Sequence, residues 1–207
     1  MFNWEQMEPS EYQRSATPSF VELTTRSYIT ATGTAQDHTA DQAFLRLAAG
    51  VVAVAQAISD SAKLGINVSG FKTYRPYPVQ AVWTSTGDGE TEQFKIWLKQ
   101  PLFIHADTFE AAKAQTSLDD EIAAQIQFEQ LAEGTEIQAT GTGKTGMMSE
   151  TLQGLRLRVD KDGYQLVDPE KYREVYLDGL PISEQSDILF RLEIDPNVGQ
   201  PPISVVN

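Results

Sequence analysis

The chain has 207 residues, 41% of them hydrophobic and 22% charged, with a net charge of −13 and no cysteine. Those totals suit a globular protein of one large or two small domains with an ample core. They argue against a nucleic-acid-binding surface, which needs clustered Lys and Arg, and they remove disulfides, thiolate nucleophiles and Cys-based metal sites.

The start, Met1 to Pro18, is polar and acidic with no signal-peptide core, and no apolar run approaches the roughly 20 residues of a membrane span. A cytoplasmic protein without a membrane partner is expected. Residues 1–19 hold Trp4, Met7, Pro9, Tyr12 and Pro18 and read as an arm without periodicity. A Val- and Thr-rich strand is predicted over Phe20 to Thr32, ending at Thr32-Gly33-Thr34. Asp37 and His38 lie in the polar segment that follows, where Thr39 or Asp41 can cap a helix from about Asp41 to Lys63. Its apolar residues, among them Phe44, Leu47, Val51, Val54 and Ile58, recur at three- and four-residue spacing, and Gly65 is the stop. Two strands follow, Val79 to Thr86 and Phe94 to Lys99, with Gly87-Asp88-Gly89 marking the turn between them. Pro101 ends the second. Asp107 or Thr108 then caps a short connector helix to about Thr116, and Asp119-Asp120-Glu121 reads as a solvated helix start.

The order then repeats as a strand over Ile126 to Thr140, a helix over about Ser149 to Asp160, and strands over Tyr172 to Asp178 and Ile188 to Ile194. A sequence echo supports the repetition. Ile29-Thr30-Ala31-Thr32-Gly33-Thr34 matches Ile137-Gln138-Ala139-Thr140-Gly141-Thr142, and the same offset sets Phe44 on Leu152 and Leu47 on Leu155. The reading is an α+β fold of two duplicated β-α-β-β units, forming an antiparallel sheet with helices on one face and a ligand cleft on the other. One domain covers residues 1–195, with repeats over about 20–100 and 125–194 and a connector helix over about 105–116. Residues 196–207 read as a flexible tail.

The strand Tyr172-Arg173-Glu174-Val175-Tyr176-Leu177 alternates. Val175 and Leu177 are expected to face the helices, which leaves Glu174 between two phenols on the opposite face. A carboxylate so placed suits a planar, cationic or hydrogen-bond-donating ligand, because enclosing it unpaired is costly. Gly141-Thr142-Gly143-Lys144-Thr145 is not a phosphate loop, since Gln138 stands where the motif needs glycine. His38 and His105 have no second ligand at metal spacing, so no metal and no other cofactor is expected.

Three groups of residues resemble the GyrI-like small-molecule-binding domain, an effector-binding fold, in its stand-alone bacterial form. They are Gln100-Pro101-Leu102-Phe103, Phe109-Glu110-Ala111-Ala112-Lys113 and Glu174-Val175-Tyr176-Leu177, with Pro18-Ser19-Phe20-Val21 and Asp162-Gly163-Tyr164 also fitting. The resemblance covers about residues 1–194. It implies pseudo-twofold symmetry and a cleft between the repeats into which a central-strand glutamate, here Glu174, reaches. Tyr176 and Trp83 match the cleft aromatics, and Phe94 and Tyr172 complete the implied ligand-binding set. The family contains drug-sensing modules of transcription regulators, free-standing binders, and hydrolases of cyclopropane-bearing natural products.

The stand-alone enzymes usually have Trp where Phe94 stands, Gly-Pro-Tyr in place of Gly141-Thr142-Gly143, and histidines where Tyr172 and Arg173 lie. Binding therefore transfers better than hydrolysis does. The leading reading is a binder of an aromatic small molecule, with the choice between a cationic and a neutral ligand left open. In the enzyme alternative, Glu174 would orient or deprotonate a water and Tyr176 would stabilise developing charge. A third reading is an interaction protein that sequesters a macromolecular partner.

Overall fold

The computed structural model describes residues 2–86, 90–202 and 204–205. The expected turn at Gly87-Asp88-Gly89 lies outside them. A short helix, α1 (Trp4–Met7), precedes two strands, β1 (Ser19–Leu23) and β2 (Arg26–Ala35). The sequence predicts one strand here, but Thr24 and Thr25 turn the chain. Both are good strand formers, so composition gives no warning of the corner.

Helix α2 (Gln42–Ser59) starts where Asp41 accepts a hydrogen bond from the Ala43 N–H at 2.7 Å. It stops short of Lys63, and the chain turns until Gly65, which takes a left-handed φ of 71°. By length and composition α2 could cross a membrane, contrary to the expectation from sequence. Eight of its residues are buried within the protein, which makes it a core helix.

Strands β3 (Gln80–Ser85) and β4 (Glu92–Lys99) follow, then helices α3 (Ala106–Lys113) and α4 (Asp120–Gln125). The predicted strand over Ile126 to Thr140 is again two, β5 (Gln127–Leu131) and β6 (Gly134–Thr142), with Gly134 at a positive φ in the corner. The chain closes with α5 (Glu150–Asp162), β7 (Lys171–Tyr176), β8 (Asp187–Glu193) and β9 (Ser204–Val205). The tail, read from sequence as loose, thus adds a two-residue strand beside β1.

All nine strands form one sheet in the order β5-β2-β4-β3-β7-β8-β6-β1-β9, antiparallel at every junction except β1–β9. Strands β3 and β7 meet at its middle. On one side lie β2, β4 and β3 with α2; on the other lie β6, β8 and β7 with α5. β6 begins 108 residues after β2, and α5 begins 108 residues after α2. The leading strands are exchanged: β1 pairs with β6 of the far side, and β5 pairs with β2.

Both large helices pack on the same face, and α3 and α4 stack outside α2. Gly141 lets α5 approach β6 closely, since a Cβ there would run into the Thr151 hydroxyl.

The opposite face is partly closed by the N-terminal arm. Trp4 donates its indole N–H to the Pro76 carbonyl at 2.9 Å, and Lys99 bridges Glu8 and Glu11 at 3.0 and 2.8 Å. Beneath the arm lies a buried charge network. Arg191 reaches Glu133 at 2.9 Å and the Glu11 carbonyl at 2.5 Å, and Arg173 reaches Glu136 at 3.3 Å. Tyr28 donates to Glu133. Burial alone would push Glu133 up, but Arg173 and Arg191 draw its pKa down to about 2. At Glu136 burial prevails over the same two arginines, and the pKa rises to about 7.

Candidate functional site

Strand β7 runs through the centre of the sheet, so both of its faces are covered. The side chain of Phe44, on α2, lies 6.0 Å from the Tyr176 ring, 4.9 Å from Trp83 and 5.1 Å from Phe94. Tyr172, Glu174 and Tyr176 therefore face the helices, the reverse of the expectation from sequence, and the site shares the helical face. Arg173 and Val175 face the arm side, with the Arg173 guanidinium 4.3 Å over Trp97. Parity places the alternation correctly but cannot choose the face here, because both faces carry charge, Lys171 and Arg173 on one and Glu174 on the other.

Glu174 is fully buried. One oxygen accepts from the Gly146 N–H at 2.6 Å, just before α5. The other accepts from the Tyr176 hydroxyl at 3.0 Å and meets His38 Nε2 at 3.1 Å, just before α2. Both helices thus present their leading loops to one carboxylate. Trp83 donates to the Tyr176 hydroxyl at 2.9 Å. On its far side His38 Nδ1 meets Glu92 at 2.7 Å, and Tyr172 donates to the same carboxylate at 2.8 Å. A continuous chain runs Trp83, Tyr176, Glu174, His38, Glu92, Tyr172.

Both ring nitrogens of His38 face carboxylate oxygens, which accept and do not donate. Both must then carry protons, which makes the ring an imidazolium. Burial works against that charge, yet the bonds to Glu174 and Glu92 raise the pKa to about 9. Burial likewise opposes ionisation of Glu92, but His38 and Tyr172 hold it below its ordinary value. Burial and the neighbouring carboxylates push the Tyr172 and Tyr176 hydroxyls far up. The imidazolium lies against Trp83 with centroids 3.9 Å apart and the rings tilted by 39°, and His38 takes a left-handed φ of 46°. An internal cation neutralises the buried glutamate.

Beside this cage lies an open groove of about 750 Å³. One wall is the α2 face with Leu45, Ala49 and Val52; the other is the chain leaving β7, from Leu177 to Pro181. Tyr176 forms part of its lining, and its hydroxyl belongs to the cage, where the side chain is fully buried. The groove is largely apolar, with Arg75 and Asp178 as the charged groups of its lining.

Of the five site residues expected from sequence, Glu174, Tyr172, Tyr176 and Trp83 are brought into the hydrogen-bonded chain. Phe94 packs in the core, 5.5 Å from Trp83, and does not line this groove. The sequence missed His38, Glu92 and Gly146. His38 lies 54 residues from Glu92 and 136 from Glu174, and no local spacing announces either contact.

No protein-family model and no curated protein matches the sequence. Solved structures do match in fold. A hydrolase from Listeria innocua is similar over 94% of this chain and 100% of its own, with 16% identity and a TM-score of 0.79. An uncharacterized conserved protein from the same species covers the same shares at 16% identity and a TM-score of 0.80. The C-terminal domain of EcmrR is similar over 86% of this chain and 97% of its own, with 10% identity and a TM-score of 0.51. The chain shares the α+β fold of these proteins.

Proposed function

We propose that this protein is a small-molecule binder of the GyrI-like kind, built by duplication of a β-α-β-β unit, that takes an aromatic ligand in the groove between its two halves. The observation that carries the reading is a buried glutamate at the meeting of the halves, already neutralised by a cation of its own chain, beside an apolar groove of about 750 Å³. A volume of that size suits a drug-sized ligand. The ligand's flat body would lie against Leu45, Ala49 and Val52. A cationic ligand is favoured by Asp178 at the rim and by the net charge of −13. The likeness to the EcmrR domain, part of a transcription regulator, supports an effector-binding role.

The linked Tyr176, Glu174 and His38 favour a second reading. A phenol, a carboxylate and an imidazolium in one chain can hold and move a proton, as hydrolysis of an electrophilic ligand requires. A structural relative bearing the name hydrolase is consistent with it.

Thermal shifts with ethidium and crystal violet, and with neutral coumarin beside them, test the binding reading. Ala49→Trp fills the groove from the exposed side of α2 and leaves the cage intact. Saturable stabilisation of the wild type that this variant loses supports the groove; equal stabilisation of both rejects it. Product analysis of each ligand then separates holding from turnover.

A further inference from the structure

The face of the sheet turned away from the helices carries its own groove, of about 590 Å³, where the N-terminal arm does not reach. Its floor is a flat run of short side chains, Thr32 and Thr34 on β2 with Val82 and Thr84 on β3. Lys95, Trp97, Lys171 and Arg173 line it, against a single lining carboxylate, Glu193. The lining thus holds three cations against one carboxylate, in a chain with a net charge of −13. Each cation has a carboxylate beside it: Lys95 meets Glu129 at 2.9 Å, Lys171 meets Asp168 at 2.9 Å, and Arg173 meets Glu136 at 3.3 Å. Those partner carboxylates are not part of the groove lining.

Two buried donors in this wall have no hydrogen-bond partner among the described residues: Arg173 Nη1 and Trp97 Nε1. Arg173 is 6% exposed and Trp97 9%, and the guanidinium lies 4.3 Å from the indole centre, so the two groups are neighbours in the groove wall. A buried donor without an acceptor is costly, so the pair calls for an acceptor from outside. Gln80, opposite Trp97 in register, has an unpartnered oxygen, which makes a bridging water the competing occupant.

We infer that this groove is a second small-molecule site, distinct from the groove beside Glu174, and that it takes a small aromatic carboxylate. The carboxylate accepts from Arg173 and Trp97, Lys171 screens its charge at the mouth, and the ring lies over the threonine and valine floor. Arg173 is already bonded to Glu136 and held by Glu133, so it is positioned before any ligand arrives.

The experiment titrates the full chain with 2-naphthoate while following the three tryptophan indole N–H resonances by NMR. The indoles of Trp4 and Trp83 are bonded within the protein, so they serve as internal controls. The expected result is a saturable shift at Trp97 alone. Affinity should fall about fivefold or more in Lys171→Gln and in Trp97→Phe, and for neutral 2-naphthamide. Lys171 is exposed and its variant should fold normally, so the test does not depend on disturbing the buried arginine. No saturable shift at Trp97 overturns the inference in favour of a bridging water. Equal binding of the amide overturns the carboxylate, and shifts at Trp83 in place of Trp97 move the ligand to the other groove.

Discussion

His38→Gln removes a charge from between two carboxylates and keeps a side chain of similar reach. The imidazole pKa rises from 6.5 to about 9 in the folded protein. That difference corresponds to about 3 kcal/mol of extra stability for the charged form. Because the folded state holds the proton more tightly, the contribution is complete below pH 6.5. It is lost as pH climbs through about 9. The assay is urea unfolding of wild type and variant at about pH 6 and about pH 10, taking the difference between proteins so that other titrations cancel. The wild type should lose about 3 kcal/mol more than His38→Gln across that interval. Parallel losses would refute the imidazolium, as would an NMR titration of His38 near its ordinary value. Of the other groups around the ring, Glu92 is held below its ordinary value, Tyr172 is pushed far up, and Trp83 and the Gly146 amide carry no charge.

Other expectations follow from the packing. The two buried glutamates beneath the arm should differ: Glu133→Gln leaves Arg191 without its 2.9 Å partner and should cost about 3–5 kcal/mol, whereas Glu136→Gln should cost far less. Glu136, with its raised pKa, lends stability below its ordinary 4.5 that is lost as pH rises through about 7. Its Gln variant should flatten that stretch of the stability curve, and an unchanged slope would count against the assignment. Phe44→Ala, which empties the space between Trp83, Phe94 and Tyr176, should cost about 3–5 kcal/mol in urea melts and change Trp83 emission. Asp41→Ala removes the α2 cap and should cost about 1 kcal/mol. The bonds from Gln36 and Ala43 lower the Asp41 pKa below 3.8. The cap's contribution is present above 3.8 and lost as pH falls through the lowered value, so wild type and variant should converge in strong acid.

Much of the architecture is legible in the sequence. The stripe from Phe44 to Ile58 marks α2, and the echo between Ile29 and Ile137 marks two strands that take equivalent places on either side of the sheet. The corners at Thr24 and Ala132 escape, because each joins two stretches of strand-forming residues. The candidate site is half legible. Glu174 stands out as a carboxylate between phenols, but its face depends on Phe44, a contact across the fold that alternation cannot reveal. His38 escapes altogether: a polar loop residue becomes the central cation only because two distant carboxylates converge on it.

The exchanged edge strands give the chain a schedule. β1 is made well before its partner β6, which begins at Gly134. At cellular rates of synthesis that is a delay on the order of ten seconds. Meanwhile β2 also waits, since the strand on its outer edge is β5. A nascent chain stalled before Gln127 therefore leaves β1 unpaired, exposes one edge of β2 and one of β3, and lacks Glu133 and Glu136, the acids that reach Arg191 and Arg173. The first half has no finished form of its own to rest in. Pairing of these edges is withheld until β5, β6 and β7 have left the ribosome, and the interval before that is when a chaperone would matter most.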